Sequence, residues 1–199
     1  MKRLTLAITI AFVVTITDAG AQDNELQEAL NHIKNQNFHT ALQQLTPLAQ
    51  NGNPAAQYHL GRIHQLGWSV TPNITTAKMW FQLAAEQNHP LAQIALGTLH
   101  EGLFNHPRNY SAAANWYRKA AEQGNPEAQA NLAALYNLGR GVPKNKTYAF
   151  MWFHLAAQKN NDPFFRAERD SVARRMSVAA IFRARRLAVR CREQNYKQC

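Results

Sequence analysis

Histidine is the residue type here with the most chemistry to offer: the chain carries eight. A metal site needs several ligand atoms converging to about 2 Å from one ion. His64 and His100 stand 36 residues apart in matching sequence surroundings, so they occupy equivalent places on separate elements rather than one ligand shell. Helices packed side by side lie roughly 8–10 Å apart, too far for shared ligation. His59 and His64 are five apart and fall on different helical faces. No metal site is expected, and these histidines read as half-buried packing residues. Nucleophilic chemistry has no better basis. There is no G-x-S-x-G elbow and no S-x-x-K with a K-T-G partner. No catalytic residue and no cofactor are assigned, and the chain reads as a non-enzyme.

Two further residue sets carry chemistry of another kind. Cys191 and Cys199 are eight apart at the C-terminus. On one continuous helix they would be about 12 Å apart, beyond disulfide reach. A bridge therefore requires the helix to end and turn back after Cys191, and the sequence leaves the bridged and free forms open. Asn73, Asn109 and Asn145 each open an N-x-[ST] triplet, again 36 residues apart. They fit glycan acceptors or helix N-caps. Their shared place at the start of a helix favours capping.

That interval of 36 runs through the chain. Trp80, Trp116 and Trp152 keep it, as do Pro54, Pro90 and Pro126, and Gln57, Gln93 and Gln129. The aromatic after each tryptophan (Phe81, Tyr117, Phe153) and the pairs Ala84-Ala85, Ala120-Ala121 and Ala156-Ala157 repeat with them. A period of this size means stacked units, each burying an apolar face on the next. Apolar spacing and end signals divide each unit into two helices. The expected spans are 54–66 and 74–87, 90–102 and 110–123, and a third pair starting at Pro126 and Asn145. Asparagine caps and proline at the first helical position open the first helices. Glycine closes them. The tryptophan–aromatic pairs are expected to fill the gaps between units, with Trp116→Ala costing about 3–5 kcal/mol. A degenerate pair, 24–36 and 38–51, precedes the array, with Gln44 in the tryptophan slot.

The fold class expected is all-α: an α/α solenoid with a C-terminal capping helix pair. Residues 1–21 read as a signal peptide, 22–53 as the degenerate pair, 54–161 as three repeats (54–89, 90–125, 126–161) and 162–199 as a basic extension. Lys2 and Arg3, the run Leu4–Thr17 and Ala19-Gly20-Ala21 have the order of a secretory leader cleaved before Gln22. That run is short for a membrane span, which needs about 20 residues. The protein is thus expected to be exported, periplasmic or secreted. The formal charge of +10 is uneven. Residues 22–162 hold ten basic and eight acidic groups, and 163–199 hold ten and three, a net of +7. Helices are expected near 163–175 and 178–194. On the second, Ile181, Ala184, Leu187, Ala188 and Cys191 form an apolar stripe, leaving Arg183, Arg185, Arg186, Arg190 and Arg192 as a candidate basic surface.

The runs AQYHLGRIHQLG…TAKMWFQLAAEQNH, AQIALGTLHEGL…SAAANWYRKAAEQGN and AQANLAALYNLGRGVPKNKTYAFMWFHLAAQKNN resemble Sel1-like repeats, relatives of the tetratricopeptide repeat. His64 and His100 occupy the usual tyrosine slot, and Ala133 replaces the usual glycine. The resemblance implies a protein-interaction scaffold of the cell envelope or secreted space, holding a peptide or helix of an unidentified protein partner in its concave groove. Groove residues assigned by position are Gln57, His64, Gln93, His100, Gln129 and Asn131. An alternative is a binder of polyanions, acidic proteins or membrane surfaces through the arginine-rich last helix. No nucleic acid is expected as a partner, and a monomer is. A weak β-lactamase-like or penicillin-binding activity, associated with some cysteine-rich relatives, is a distant alternative. The serine–lysine chemistry and the intra-repeat cysteines it would accompany are absent.

Overall fold

The computed structural model describes residues 19–103, 107–160, 162–197 and 199. Among them are ten helices: α1 (Ala19–Lys34), α2 (Phe38–Gln50), α3 (Pro54–Leu66), α4 (Ile74–Glu86), α5 (Pro90–His100), α6 (Tyr110–Ala121), α7 (Pro126–Leu138), α8 (Lys146–Asn160), α9 (Pro163–Ala173) and α10 (Val178–Glu193). Each helix from α1 to α8 packs on the next, and α8 then carries both α9 and α10. This is an all-α solenoid. No helix among the described residues is long and apolar enough to cross a membrane. Most of the expected leader lies outside the described residues. Helix α1 begins at Ala19, five residues before the expected start: Asp23 and Asn24, which could have capped a later start, lie inside the helix instead.

The helix ends follow from single residues. Asn53 and Asn125 accept hydrogen bonds from Ala56 and Ala128 amides, with proline next in each helix. Asn73 and Asn109 cap the second helices through Thr76 and Ala112. Asn145 accepts from the Thr147 and Tyr148 amides. All three triplet asparagines therefore act as caps. At the other end, Gly67 and Gly139 adopt left-handed conformations (φ 74° and 71°) that close α3 and α7. The equivalent residue after α5 is Leu103, for which that conformation is strained. Helix α5 accordingly stops at His100, short of the expected 102, and Gly102 takes the positive φ instead.

Packing corrects the reading of the tryptophans. Only Trp152 is sealed, at 2% exposure, whereas Trp80 and Trp116 are half-buried. Phe81, Tyr117 and Phe153 are all buried. In the first two repeats the rings of Phe81 and Tyr117 lie so close to Gly61 and Gly97 that a Cβ there would collide. The second aromatic thus fills the gap inside each repeat. The tryptophan lies further out and packs back on the preceding core: Trp80 on the α1–α3 cluster, Trp116 on the cluster around Phe81. Trp152 differs because α9 and α10 also cover its helix, joining Phe165, Val172, Ala184, Ala188 and Cys191 to the same cluster.

Cys191 and Cys199 form a disulfide with Cα atoms 5.3 Å apart. Helix α10 ends at Glu193, and Asn195 and Tyr196 take left-handed conformations (φ 52° and 64°) that turn the tail back. That reversal is the geometry the bridge requires.

Candidate partner-binding groove

The three repeat-equivalent glutamines turn inward. Gln57, Gln93 and Gln129 are 4%, 0% and 1% exposed. Each donates its Nε2 to a carbonyl eight residues earlier: Ala49 at 3.0 Å, Ala85 at 3.1 Å and Ala121 at 3.2 Å. These carbonyls lie at the ends of second helices, where the last four acceptors lack intrahelical partners. Gln57 and Gln93 also accept from Gln87 (2.9 Å) and Gln123 (2.8 Å). The ladder stops at the third repeat, where Lys159 replaces that glutamine and donates instead to the Gly124 carbonyl at 2.7 Å. The glutamines therefore pin each first helix to its neighbours and are unavailable to a partner, which corrects their assignment to the groove.

His64 and His100 sit half-buried in the last turns of α3 and α5. Their backbone carbonyls accept from the Asn73 and Asn109 amides at the start of the following helix. Burial lowers the pKa of His64. These side chains occupy the turn of each repeat and do not line the groove. Asn131, also half-exposed, stands one repeat after Ala95, which does line it.

The groove itself spans the first helices. A cleft of about 250 Å³ runs across α3, α5 and the start of α7. Its apolar floor comes from Leu66, Leu91, Ile94 and Ala95. Leu66 and Leu91 remain exposed, so the floor is open to an incoming side chain. Arg62 stands at one end and Glu127 at the other. The Arg62 guanidinium is held in place: Nη1 donates to the Tyr58 hydroxyl at 3.2 Å, and Cζ lies 5.9 Å from the Trp68 ring. Trp68 in turn stacks on Phe38 at 4.5 Å, tying α2 to this corner. A pre-positioned guanidinium suits a carboxylate because less freedom is lost on binding.

Behind the groove lies a histidine-rich wall. Tyr58 stacks on His89 at 5.1 Å and meets His59 edge-on at 5.0 Å. His89 caps α5 by accepting from the Ala92 amide through Nδ1, so that nitrogen is unprotonated. Burial, with smaller contributions from His89 and Arg62, lowers the His59 pKa to about 4. Both rings are therefore neutral near pH 7. Burial also raises the Tyr117 pKa, and its hydroxyl donates to Glu101 at 2.8 Å. No group of three or more metal-ligating side chains assembles among the described residues.

Position in the repeat could not distinguish the lining from the pins. The lining residues 58, 62, 65, 66, 91, 94, 95 and 98 vary from unit to unit, whereas the pins recur. Variation at a fixed position, rather than recurrence, was the signal that would have found the groove.

A stack of two-helix units, pinned by recurring polar residues and open along its first helices, defines an α-solenoid of the kind that serves as an interaction scaffold. The Sel1 repeat pattern matches residues 54–89, 90–125 and 126–161. That is more than half of the chain, which belongs to the Sel1 repeat family. Among solved structures, a Sel1 repeat protein from Oxalobacter formigenes is 31% identical over 72% of this chain, with a TM-score of 0.68. The chain spans 59% of that protein's length. A protective antigen of uropathogenic Escherichia coli, described as having an SLR fold, is 21% identical over 88% of this chain and 47% of its own, with a TM-score of 0.49. No curated protein matches the chain. Sel1 repeat proteins generally act as protein-interaction scaffolds, and the fold is typically non-catalytic.

Proposed function

We infer that this chain is a non-enzymatic scaffold that holds an extended segment of another protein across α3, α5 and α7. The observation that supports this reading is the cleft with an apolar floor and a fixed guanidinium at one end. The segment it fits has a carboxylate for Arg62 and an apolar side chain, a few residues on, for the floor at Leu66, Leu91 and Ile94. Glu127 favours a basic or amide group at the far end. Peptide recognition of this sort takes orientation from polar contacts and affinity from shallow anchors.

Display of random peptides on the purified protein tests the reading. Acidic–apolar sequences should be enriched, and Arg62→Glu should weaken their binding about tenfold or more. Failure to enrich any sequence, or equal binding by the variant, removes the groove as the site. The leader supports export to the periplasm or beyond. N-terminal sequencing of protein recovered from the envelope should then begin at Gln22. Light scattering should give a monomer, and β-lactam turnover should not exceed background.

A further inference from the structure

The outer face of α10 carries a second surface, separate from the groove. Its inner face is used up: Ala184, Ala188 and Cys191 are buried against α8. About 130° around the helix from that face stand Val178, Phe182 and Val189, 85%, 63% and 45% exposed. At 3.6 residues per turn, these three fall within about 40° of one another around the helix axis. Exposed arginines border them on both sides, Arg183, Arg186 and Arg190 along one and Arg185 along the other. Arg192, on that second side, donates to Gln158 of α8 at 3.4 Å and helps anchor the helix. Glu193 is the one acidic residue of α10.

We propose that this face docks on an anionic lipid bilayer, with α10 lying in the plane of the interface. An apolar strip framed by cations is the pattern of an interfacial helix: the strip enters the acyl boundary and the charges stay with the headgroups. Long arginine side chains reach up to phosphate while their stems cover apolar surface. Every basic residue of α10 is arginine, the side chain that meets phosphate through paired N–H groups. The surface is a single ridge, which a deformable interface accepts without a matching hollow. A second copy of the chain would set arginines against arginines. The disulfide ties Cys191, in the last turn of α10, to the tail and fixes the end of the ridge.

Co-sedimentation with vesicles tests this, using the full chain and the form starting at Gln22. The shorter form decides, because it lacks the apolar run near the N-terminus. Its helical signal is first matched to that of the full chain by circular dichroism. Vesicles of phosphatidylcholine with phosphatidylglycerol should retain the protein about tenfold better than pure phosphatidylcholine, and salt should weaken retention. The double variant R185E/R186E and the single variant Phe182→Asp should each lose about tenfold, with unchanged melting. If either variant melts early, Val178→Asp replaces it. Arg62→Glu should leave retention unchanged. Equal retention on both vesicle types overturns the proposal. So does tighter binding to duplex DNA than to anionic vesicles with Phe182→Asp behaving like the parent, which would reassign the arginines to nucleic acid.

Discussion

The repeats and the C-terminal pair solve the same packing problem with opposite means. Within the repeats, each helix meets its predecessor and successor through recurring residues: a capped asparagine, a buried aromatic and a glutamine pin. From residue 22 through 162, charge sums to only +2, against +7 over 163–199. The pair α9 and α10 has no such recurrence, yet it completes the burial of Trp152, which the array alone leaves half-done at Trp80 and Trp116. The same residue at the same repeat position is core or shelf according to the helices stacked after it. The Trp116 shelf carries Lys119, whose Nζ lies 4.2 Å from the ring centroid, in place of a covering helix.

The largest test of that contrast is a pair of truncations. Trp152→Ala should cost about 3–5 kcal/mol in urea unfolding. Trp116→Ala should cost less, about 1–3 kcal/mol, because part of its surface already faces water. Equal losses would mean that the C-terminal pair contributes no extra burial at this slot.

Acid should strike the repeats next. His59 is neutral when folded down to about pH 4, whereas the unfolded ring takes up a proton near pH 6.5. The folded pKa is depressed, so stability is full above about 6.5 and falls as the pH drops toward 4. The expected loss is about 2 kcal/mol, allowing for the ring's partial exposure. Burial lowers the pKa of His89, and burial with nearby Arg169, Arg185 and Arg192 lowers that of His154, so both act in the same direction. Melting of His59→Gln across this range should show a shallower acid limb. A parallel limb would assign the loss to other groups.

The glutamine pins offer a finer comparison. Gln93→Met removes two hydrogen bonds at nearly constant volume and leaves the Ala85 carbonyl only its bond from backbone amides such as Asn88, for a cost of about 1–3 kcal/mol. Gln129→Met should cost less, because the glutamine that would donate to its Oε1 is replaced by Lys159. Thermal melts of the two variants order them directly. Smallest of all should be Arg62→Glu, which gives up one part-buried hydrogen bond and the Trp68 contact for about 1 kcal/mol of stability while weakening peptide binding.

Several of these features stood open in the residue order. Asparagine followed by proline placed the starts of α3 and α7 at Pro54 and Pro126, because capping and the missing proline N–H act within one turn of chain. The stripe on α10 was equally local: Ala184, Ala188 and Cys191 sit at helical spacing and are buried together. The groove was not open to the same reasoning. Gln57, Gln93 and Gln129 looked like ligands because they recur, but each recurs at the place where a first helix is tied to the carbonyl eight residues back, at the end of the preceding helix. Whether such a side chain faces a neighbour or a partner depends on how far one unit rotates against the next, which no periodicity encodes.

The sequence by itself determined the helices, their ends and their order, because propensity, capping and turn chemistry operate over a few residues. It also determined that the units stack, because a face of alanine and aromatic rings has to be covered. Tertiary structure alone decided which tryptophan is sealed, which polar residues pin rather than bind, and that the tail turns back to join Cys199 to Cys191. Each of these outcomes depends on distances between atoms far apart in the chain, set by the packing of one helix pair on the next.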